Sequence, residues 1–369
     1  MNRLIILCSL LAFSSCKTET KVEGIANDQL QKPKKIIFLI GDGMGVSQLS
    51  SAYLYGEEEP NFSRFPVVGL IKTSSTSKIT DSAAGATAFS CGKKTYNGAL
   101  GLDADSNRIE NIVEFLKSIN PQVGVGLVAT SSITHATPAA YYSHVESREL
   151  ADEIMLQLIR SKVDFFAGGG KDYVFKRGDS IDLYAEMQKA GIDLDTTAML
   201  KRNWEEGSRY GYLLAKDGMP SAPQRGNFLL RASVAAIDFL DSRESSFLMI
   251  EGSQIDWAGH DNNGEYLKEE VLDFDRVVGA ALDYAEKDGN TLVVVTADHE
   301  TGGYTLAGYR SEDGSSRNYD SIVPSFSTGG HSSTLVPVLA YGPGSELFSG
   351  IYENTEIHRK MLIAMMGLE

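Results

Sequence analysis

Cysteine is scarce in this sequence: three residues in 369, Cys8, Cys16 and Cys91. Two of them fall at the N-terminal end, so the body of the chain holds one thiol and cannot close a disulfide within itself. The clustered cysteines of a zinc finger are missing too. Basic residues are outnumbered. Lys and Arg total 34 against 49 Asp and Glu, for a formal net charge of -15, and no basic run occurs. That excludes the surface with which nucleic-acid binders neutralise phosphates. A small anionic substrate stays compatible, provided metal ions or one arginine attract it locally. Long apolar runs are lacking as well; the stretch 4–13 is too short to cross a bilayer comfortably. At 42% hydrophobic and 22% charged residues the balance is globular, which excludes disorder, fibrous repeats and a multi-span membrane protein. The length suits one large domain or two ordinary ones.

What is present begins with an address. Asn2 and Arg3 precede the apolar run, which ends in Ser14-Ser15-Cys16 and gives way to the polar stretch 17–21. This is the layout of a secretory signal. Small residues before a cysteine resemble the bacterial lipobox, in which that cysteine becomes a lipidated N-terminus. Phe13 stands where the pattern usually has an aliphatic residue. The expected organisation is a signal peptide with lipobox over 1–16, a polar tether over 17–33 and a single folded domain over 34–369. The expected location is the periplasm or the outer membrane, with attachment through Cys16; plain cleavage and secretion is the alternative.

Short Val/Ile/Leu-rich runs at 36–40, 123–129, 163–167, 247–250, 291–296 and 335–341 read as strands buried on both faces. Helical patterns lie between them. Leu150, Ile154 and Leu158 repeat at a spacing of four. Residues 228–240 and 266–285 are also periodic, with Gly289 as a stop for the second. Strands alternating with helices predict an α/β fold, three layers with a central, mainly parallel sheet. The stretches 171–226 and 307–330 fit this rhythm poorly and read as loop insertions over a site.

The polar residues gather where such folds bind ligands, at the carboxyl ends of strands. The run 36–40 leads into Asp42, the run 247–250 into Glu251, Asp256 and His260, and the run 291–296 into Asp298 and His299. His331 precedes the last strand. The chain has only six histidines, and His260, His299 and His331 all fall in these segments. Asp256 and His260 are four apart, which puts them on one helical face, able to share a metal. Asp298 and His299 are adjacent and converge only if the chain turns there. Carboxylate with imidazole suits zinc; carboxylate with hydroxyl suits magnesium. Ser82 precedes a run of small residues that suits a closely packed helix. A serine at such an N-terminus is placed for anions, although taken by itself it reads first as an ordinary N-cap. No histidine neighbours it in sequence, so a hydrolase triad is unsupported. Arg148 carries a guanidinium able to hold two phosphate oxygens.

With these pieces in view, the sequence resembles the alkaline phosphatase family over residues 35–342. The motifs are GDGMG with Asp42, TDSAAGATAFSCGKKTYNGALG with Ser82, HATPAAYYSHVESR with Thr137 and Arg148, EGSQIDWAGH from Glu251 to His260, TADH with Asp298-His299, and GGHSS with His331. The resemblance implies a phosphate-monoester hydrolase with Ser82 as nucleophile and a phosphoserine intermediate. It implies one zinc on Asp256, His260 and His331, and a second on Asp42, Asp298 and His299, with Ser82 completing its shell. Asp42 would also bridge to a third ion, usually magnesium, held by Thr137 and Glu251. Small phosphomonoesters are the expected substrates and a homodimer the expected assembly. Two positions depart from the best-known bacterial pattern. His135 replaces an aspartate beside the magnesium, and Trp257 replaces a lysine that reaches phosphate through water. The pair resembles marine and cold-adapted bacterial members, and the imidazole opens the third site to zinc.

Rivals with the same core are phosphodiesterases, sulfatases and cofactor-independent phosphomutases. A diesterase has little use for Arg148. The Cys/Ser-x-Pro-x-Arg context of a sulfatase is absent around Ser82, and a mutase does not suit an exported chain. A non-catalytic phosphate-binding lipoprotein is the rival of a different class.

Overall fold

The structure, a computed structural model, describes residues 32–199, 203–205, 207–311 and 313–367. The signal peptide, Cys16 and the tether up to residue 31 lie outside the described residues. In chain order the strands are β1 (Lys35–Gly41), β2 (Val67–Lys72), β3 (Gly124–Ser132), β4 (Phe165–Gly169), β5 (Ile192–Asp195), β6 (Arg209–Ala215), β7 (Ser246–Gly252), β8 (Thr291–Thr296), β9 (Glu300–Thr301), β10 (Thr305–Arg310), β11 (Arg317–Ser325), β12 (His331–Ser332), β13 (Val336–Tyr341) and β14 (Gly350–Glu353).

Ten of them form one sheet in the order β14-β2-β13-β8-β1-β7-β3-β4-β6-β5. Only β13 runs against its neighbours, so the sheet is mainly parallel. Strands β1, β7 and β8 are buried at every residue, because helices cover both faces; hence their unbroken rather than alternating apolar pattern. Helices Phe228–Asp241 and Gly264–Asp288 pack together on one face. Helices Ser82–Cys91 and Thr355–Met366 pack together on the other, where Ala136–Ala139 also lies. The long helix Gly264–Asp288 starts at Asn263, whose side chain accepts from Tyr266 N, and stops at Gly289 in the left-handed region.

The expected insertion over 171–226 is corrected by the structure. Strands β5 and β6 within it extend the main sheet beyond β4. Edge position explains the misreading: β5 has four residues and a half-covered pattern, so no buried run marks it. The segment from 307 on belongs instead to an exposed hairpin of β10 and β11, outside the main sheet. Strands β9 and β12 pair separately and bring His331 level with Thr301.

Candidate active site

Adjacent parallel strands β8, β1, β7 and β3 end side by side, and register decides what meets there. Ile40 is level with Glu251 on one side and Thr296 on the other, and Ala129 is level with Glu251. The residues that follow these strands therefore converge. Asp42 follows β1, Asp298 and His299 follow β8, and His135 and Thr137 follow β3. All of the carboxylates and hydroxyls among them are buried.

Asp256 and His260 share one face of the helix Gln254–His260, with His260 Nε2 3.4 Å from Asp256 Oδ1. His331 Nε2 lies 3.6 Å from the same oxygen and 3.1 Å from His260 Nε2. Each of these rings turns Nδ1 to a backbone carbonyl at 2.8 Å, His260 to Gly329 and His331 to Thr80. A carbonyl only accepts, so each Nδ1 holds the proton and each Nε2 presents a lone pair. Two lone pairs facing each other beside a carboxylate repel unless a cation lies among them.

A second donor group is Asp42, Asp298 and His299, whose ligand atoms lie within 4.8 Å of one another. His299 Nε2 is 3.4 Å from both Asp42 Oδ1 and Asp298 Oδ2. His299 also comes within the same reach of Asp256 and His331, and its ring stacks on His331 at 3.6 Å. The two groups thus adjoin through His299. A third group joins Asp42, His135 and Glu251. Asp42 Oδ1 and Oδ2, Asp298 Oδ2, Glu251 Oε1 and His135 Nδ1 are buried without a hydrogen-bond partner. Orphaned carboxylate oxygens at this depth are costly without compensating positive charge. The donor set fits metal ions, with imidazole and carboxylate at the first two groups and mostly oxygen at the third.

The electrostatics point the same way. Burial, followed by the charges of Asp298, Asp256 and Glu251, pushes Asp42 well above the ordinary carboxylate range. Burial also raises Asp298. Glu251 is pushed up to about 7 by burial and the Asp298 charge, against hydrogen bonds from Ser253, Thr137 and Ser131. His135 falls to about 3 through burial and the nearby Arg148, and His299 to about 3 through burial and His331. Like charges have been packed together without a counter-charge of their own.

Ser82 opens the helix Ser82–Cys91, all of whose residues are buried; at Gly85 a Cβ would meet Asp298 Cβ at 2.9 Å, so the helix approaches the site closely there. The cap is not Ser82 but Asp81, whose Oδ1 accepts from Ala84 N at 3.0 Å. Ser82 Oγ lies 3.3 Å from His299 Nε2. A histidine thus stands beside the serine in space where none stands in sequence. Arg148 precedes the helix Ala151–Arg160. Its Nη1 donates to Asp81 Oδ2 at 3.3 Å and its Nη2 to His135 Nε2 at 3.1 Å. Because the guanidinium only donates, the proton of His135 sits on Nδ1. Trp257 stands edge-on to His135, with ring centroids 6.0 Å apart. Gly218 packs against the indole closely enough to leave no room for a Cβ. The segment 171–226 therefore reaches the site through Gly218.

Two neighbours escaped the sequence reading. Asp81 carries a visible signal, an acidic cap before a run of small residues. Thr301 carries none, since a threonine two positions beyond His299 has no distinguishing context. It is buried and bonded to both Asp256 and His299.

A family model described as alkaline phosphatase matches residues 33–317. Alkaline phosphatase 3 of Bacillus subtilis is 34% identical, with 98% of this chain and 96% of that protein aligned. The solved structure of alkaline phosphatase from the Antarctic bacterium TAB5 superposes with a TM-score of 0.88 at 50% identity, over 91% of this chain and 99% of the other. A His-to-Asp variant of the TAB5 protein, described with Mg bound in its M3 site, superposes over the same shares at 0.87 and 51% identity. The chain belongs to the alkaline phosphatase family.

Proposed function

We propose that the protein hydrolyses phosphate monoesters through a phosphoserine on Ser82. The observation that carries this reading is the meeting of Ser82 Oγ with His299, which joins two of three adjoining donor groups, while Asp42, Asp298 and Glu251 in the second and third hold buried oxygens without partners. Asp256, His260 and His331 would hold one zinc. Asp42, Asp298 and His299 would hold a second, with Ser82 at its open side. Asp42, Thr137 and Glu251 would hold a third ion. Bound there, the ions supply Lewis acidity, which lowers the proton affinity of hydroxyl and water and offsets charge on phosphoryl oxygens.

The chain itself does the rest. Ser82 Oγ gives its proton to solvent and bonds to phosphorus as the ester P–O bond breaks, and the leaving oxygen takes a proton from solvent and departs as the alcohol. Water then loses a proton and attacks phosphorus, the Oγ–P bond breaks, Ser82 Oγ regains a proton and inorganic phosphate departs. The start of the helix Ser82–Cys91 favours the anion. Arg148, held beside Ser82 by Asp81 and His135, offers its fork to two non-bridging oxygens. A diester has one of these blocked, so the arginine favours monoesters. His299 is a poor general base, because burial and His331 disfavour its protonated form. Its lone pair suits a cation instead.

The oxygen-rich third site suits magnesium. His135 beside it would let zinc compete only on giving up its Nδ1 proton, which also means giving up the bond Nε2 accepts from Arg148. The Mg-bound TAB5 variants, with Asp or Glu in place of a histidine, support this account of the position. The reading also covers the expected export, lipid anchoring through Cys16 and a homodimer. Labelled palmitate that fails to enter the protein, or a monomer in sedimentation, would overturn those two parts.

Acid-quenching the reaction with a radiolabelled monoester tests the intermediate. Label is expected on Ser82 in the native protein and nowhere in Ser82→Ala, which should retain its fold and lose turnover. Label on another residue would contradict the assignment.

A further inference from the structure

Thr301 occupies an unusual place. Its Oγ1 donates to Asp256 Oδ1 at 2.5 Å and lies 3.1 Å from His299 Nδ1. A hydroxyl has one proton to give. With that proton committed to the carboxylate, the oxygen accepts from His299, so Nδ1 of that ring carries its proton. The chain of bonds therefore has one direction, from His299 Nδ1–H to Thr301 Oγ1 and from Oγ1–H to Asp256. It leaves His299 Nε2 with a lone pair, facing Ser82 Oγ, Asp42 and Asp298.

The surroundings prevent the hydroxyl from turning away. Thr301 is wholly buried. Its N–H donates to Gly43 O at 3.1 Å, and its carbonyl accepts from Gln48 Nε2 at 2.8 Å. Gly43 presses on one side: it has φ +73°, and a Cβ there would meet Thr301 Oγ1 at 2.7 Å. Gly259 presses on the other, where a Cβ would meet Thr301 Cγ2 at 2.9 Å. Neither position has space for a side chain. Opposite Thr301 in the β9–β12 pair stands His331.

We infer that Thr301 is a positioning residue whose single hydroxyl sets the zinc affinity of both sites, by orienting one donor in each: Asp256 in the first and His299 in the second. This rests on the two-zinc reading above. Partners behind metal ligands fix ring tautomer and carboxylate direction, and losing one typically weakens metal binding by about 10- to 100-fold. Here one loss acts on two ions.

The test is zinc competition against a chelator on native protein and on Thr301→Val, Thr301→Ala and Thr301→Ser. Valine keeps the shape and removes the hydroxyl, whereas serine keeps the hydroxyl and removes the methyl. The expected result is two zinc equivalents of native affinity in Thr301→Ser. In the valine and alanine variants both equivalents weaken by about 10- to 100-fold. A variant that folds only with zinc is compared by the zinc concentration that restores its circular dichroism, shifted by the same factor. Native zinc affinity in Thr301→Val, loss of one equivalent only, or a serine variant that behaves like alanine overturns the inference. Native protein that takes up fewer than two zinc ions overturns the reading beneath it, and so separates the two failures.

Discussion

Trp257 and Arg148 treat bound phosphate differently. Arg148 is anchored by Asp81 and His135 and brings a fixed positive charge. Trp257, edge-on to His135, brings none. A lysine at 257 would add charge near the product, so phosphate should leave the native protein more readily than such a variant. Trp257→Lys is expected to tighten inhibition by inorganic phosphate by ~1 kcal/mol, about fivefold. An unchanged inhibition constant would show that the indole position does not feel the product. At this scale the candidate site was largely legible, because the chemistry sits in short contiguous motifs. GDGMG, TDS and TADH each name their residues locally. Thr301 and the contact of His299 with Ser82 were not legible, because both arise from β9 and β8 folding back on the start of another helix. No short window of sequence contains Ser82 with His299, or Thr301 with Asp256.

Among the elements, the segment that carries Gly218 is locked to the long helix Gly264–Asp288. Arg225 donates to Glu270 at 2.5 Å and to Asp273 at 2.6 Å, with all three side chains buried. Glu270 also accepts from Ala222 N at 2.7 Å. Removing the guanidinium leaves buried Glu270 without its charge partner, beside Asp273, which keeps only the half-exposed Arg276 at 2.8 Å. Arg225→Ala is expected to cost about 3–5 kcal/mol of stability by urea unfolding of the metal-loaded protein; a loss under ~1 kcal/mol would contradict the lock. The same segment marks where the sequence was hardest to read. Central strands such as β1 and β8 announce themselves as unbroken apolar runs, since both faces are covered. Edge strands β5 and β14 are short and half exposed, and β2 alternates. Their membership in the sheet is decided by pairing across the chain, which composition does not reveal.

For the whole molecule the dominant electrostatic fact is a net charge of -15 around a buried carboxylate cluster. Stripped of metal, the fold holds the proton of Glu251 up to about 7, against 4.5 ordinarily. Across that window the unfolded chain binds fewer protons, so stability falls as pH rises. Asp42 and Asp298, also raised, act in the same direction. His135 and His299 act in reverse. They stay neutral in the fold down to about 3 and protonate near 6.5 when unfolded; their contribution is whole above 6.5 and is lost as pH falls. Between about 6.5 and 8 only the carboxylate trend remains. Metal-free protein should lose on the order of 1 kcal/mol there, a few degrees in Tm. Zinc neutralises the cluster and binding releases protons, so the gap in Tm between loaded and stripped protein should widen with pH. A gap that narrows would contradict this account of the site. The most direct test of the central claim is hydrolysis of an aryl phosphate monoester at alkaline pH. It is run before chelation, after chelation, and after zinc and magnesium are restored, with a matched diester and sulfate ester alongside. The account predicts turnover that strongly favours the monoester, disappears with the metals and returns with them. A preference for the diester or the sulfate would contradict the role given to Arg148. No turnover of any ester by the fully loaded protein would contradict the phosphatase reading itself.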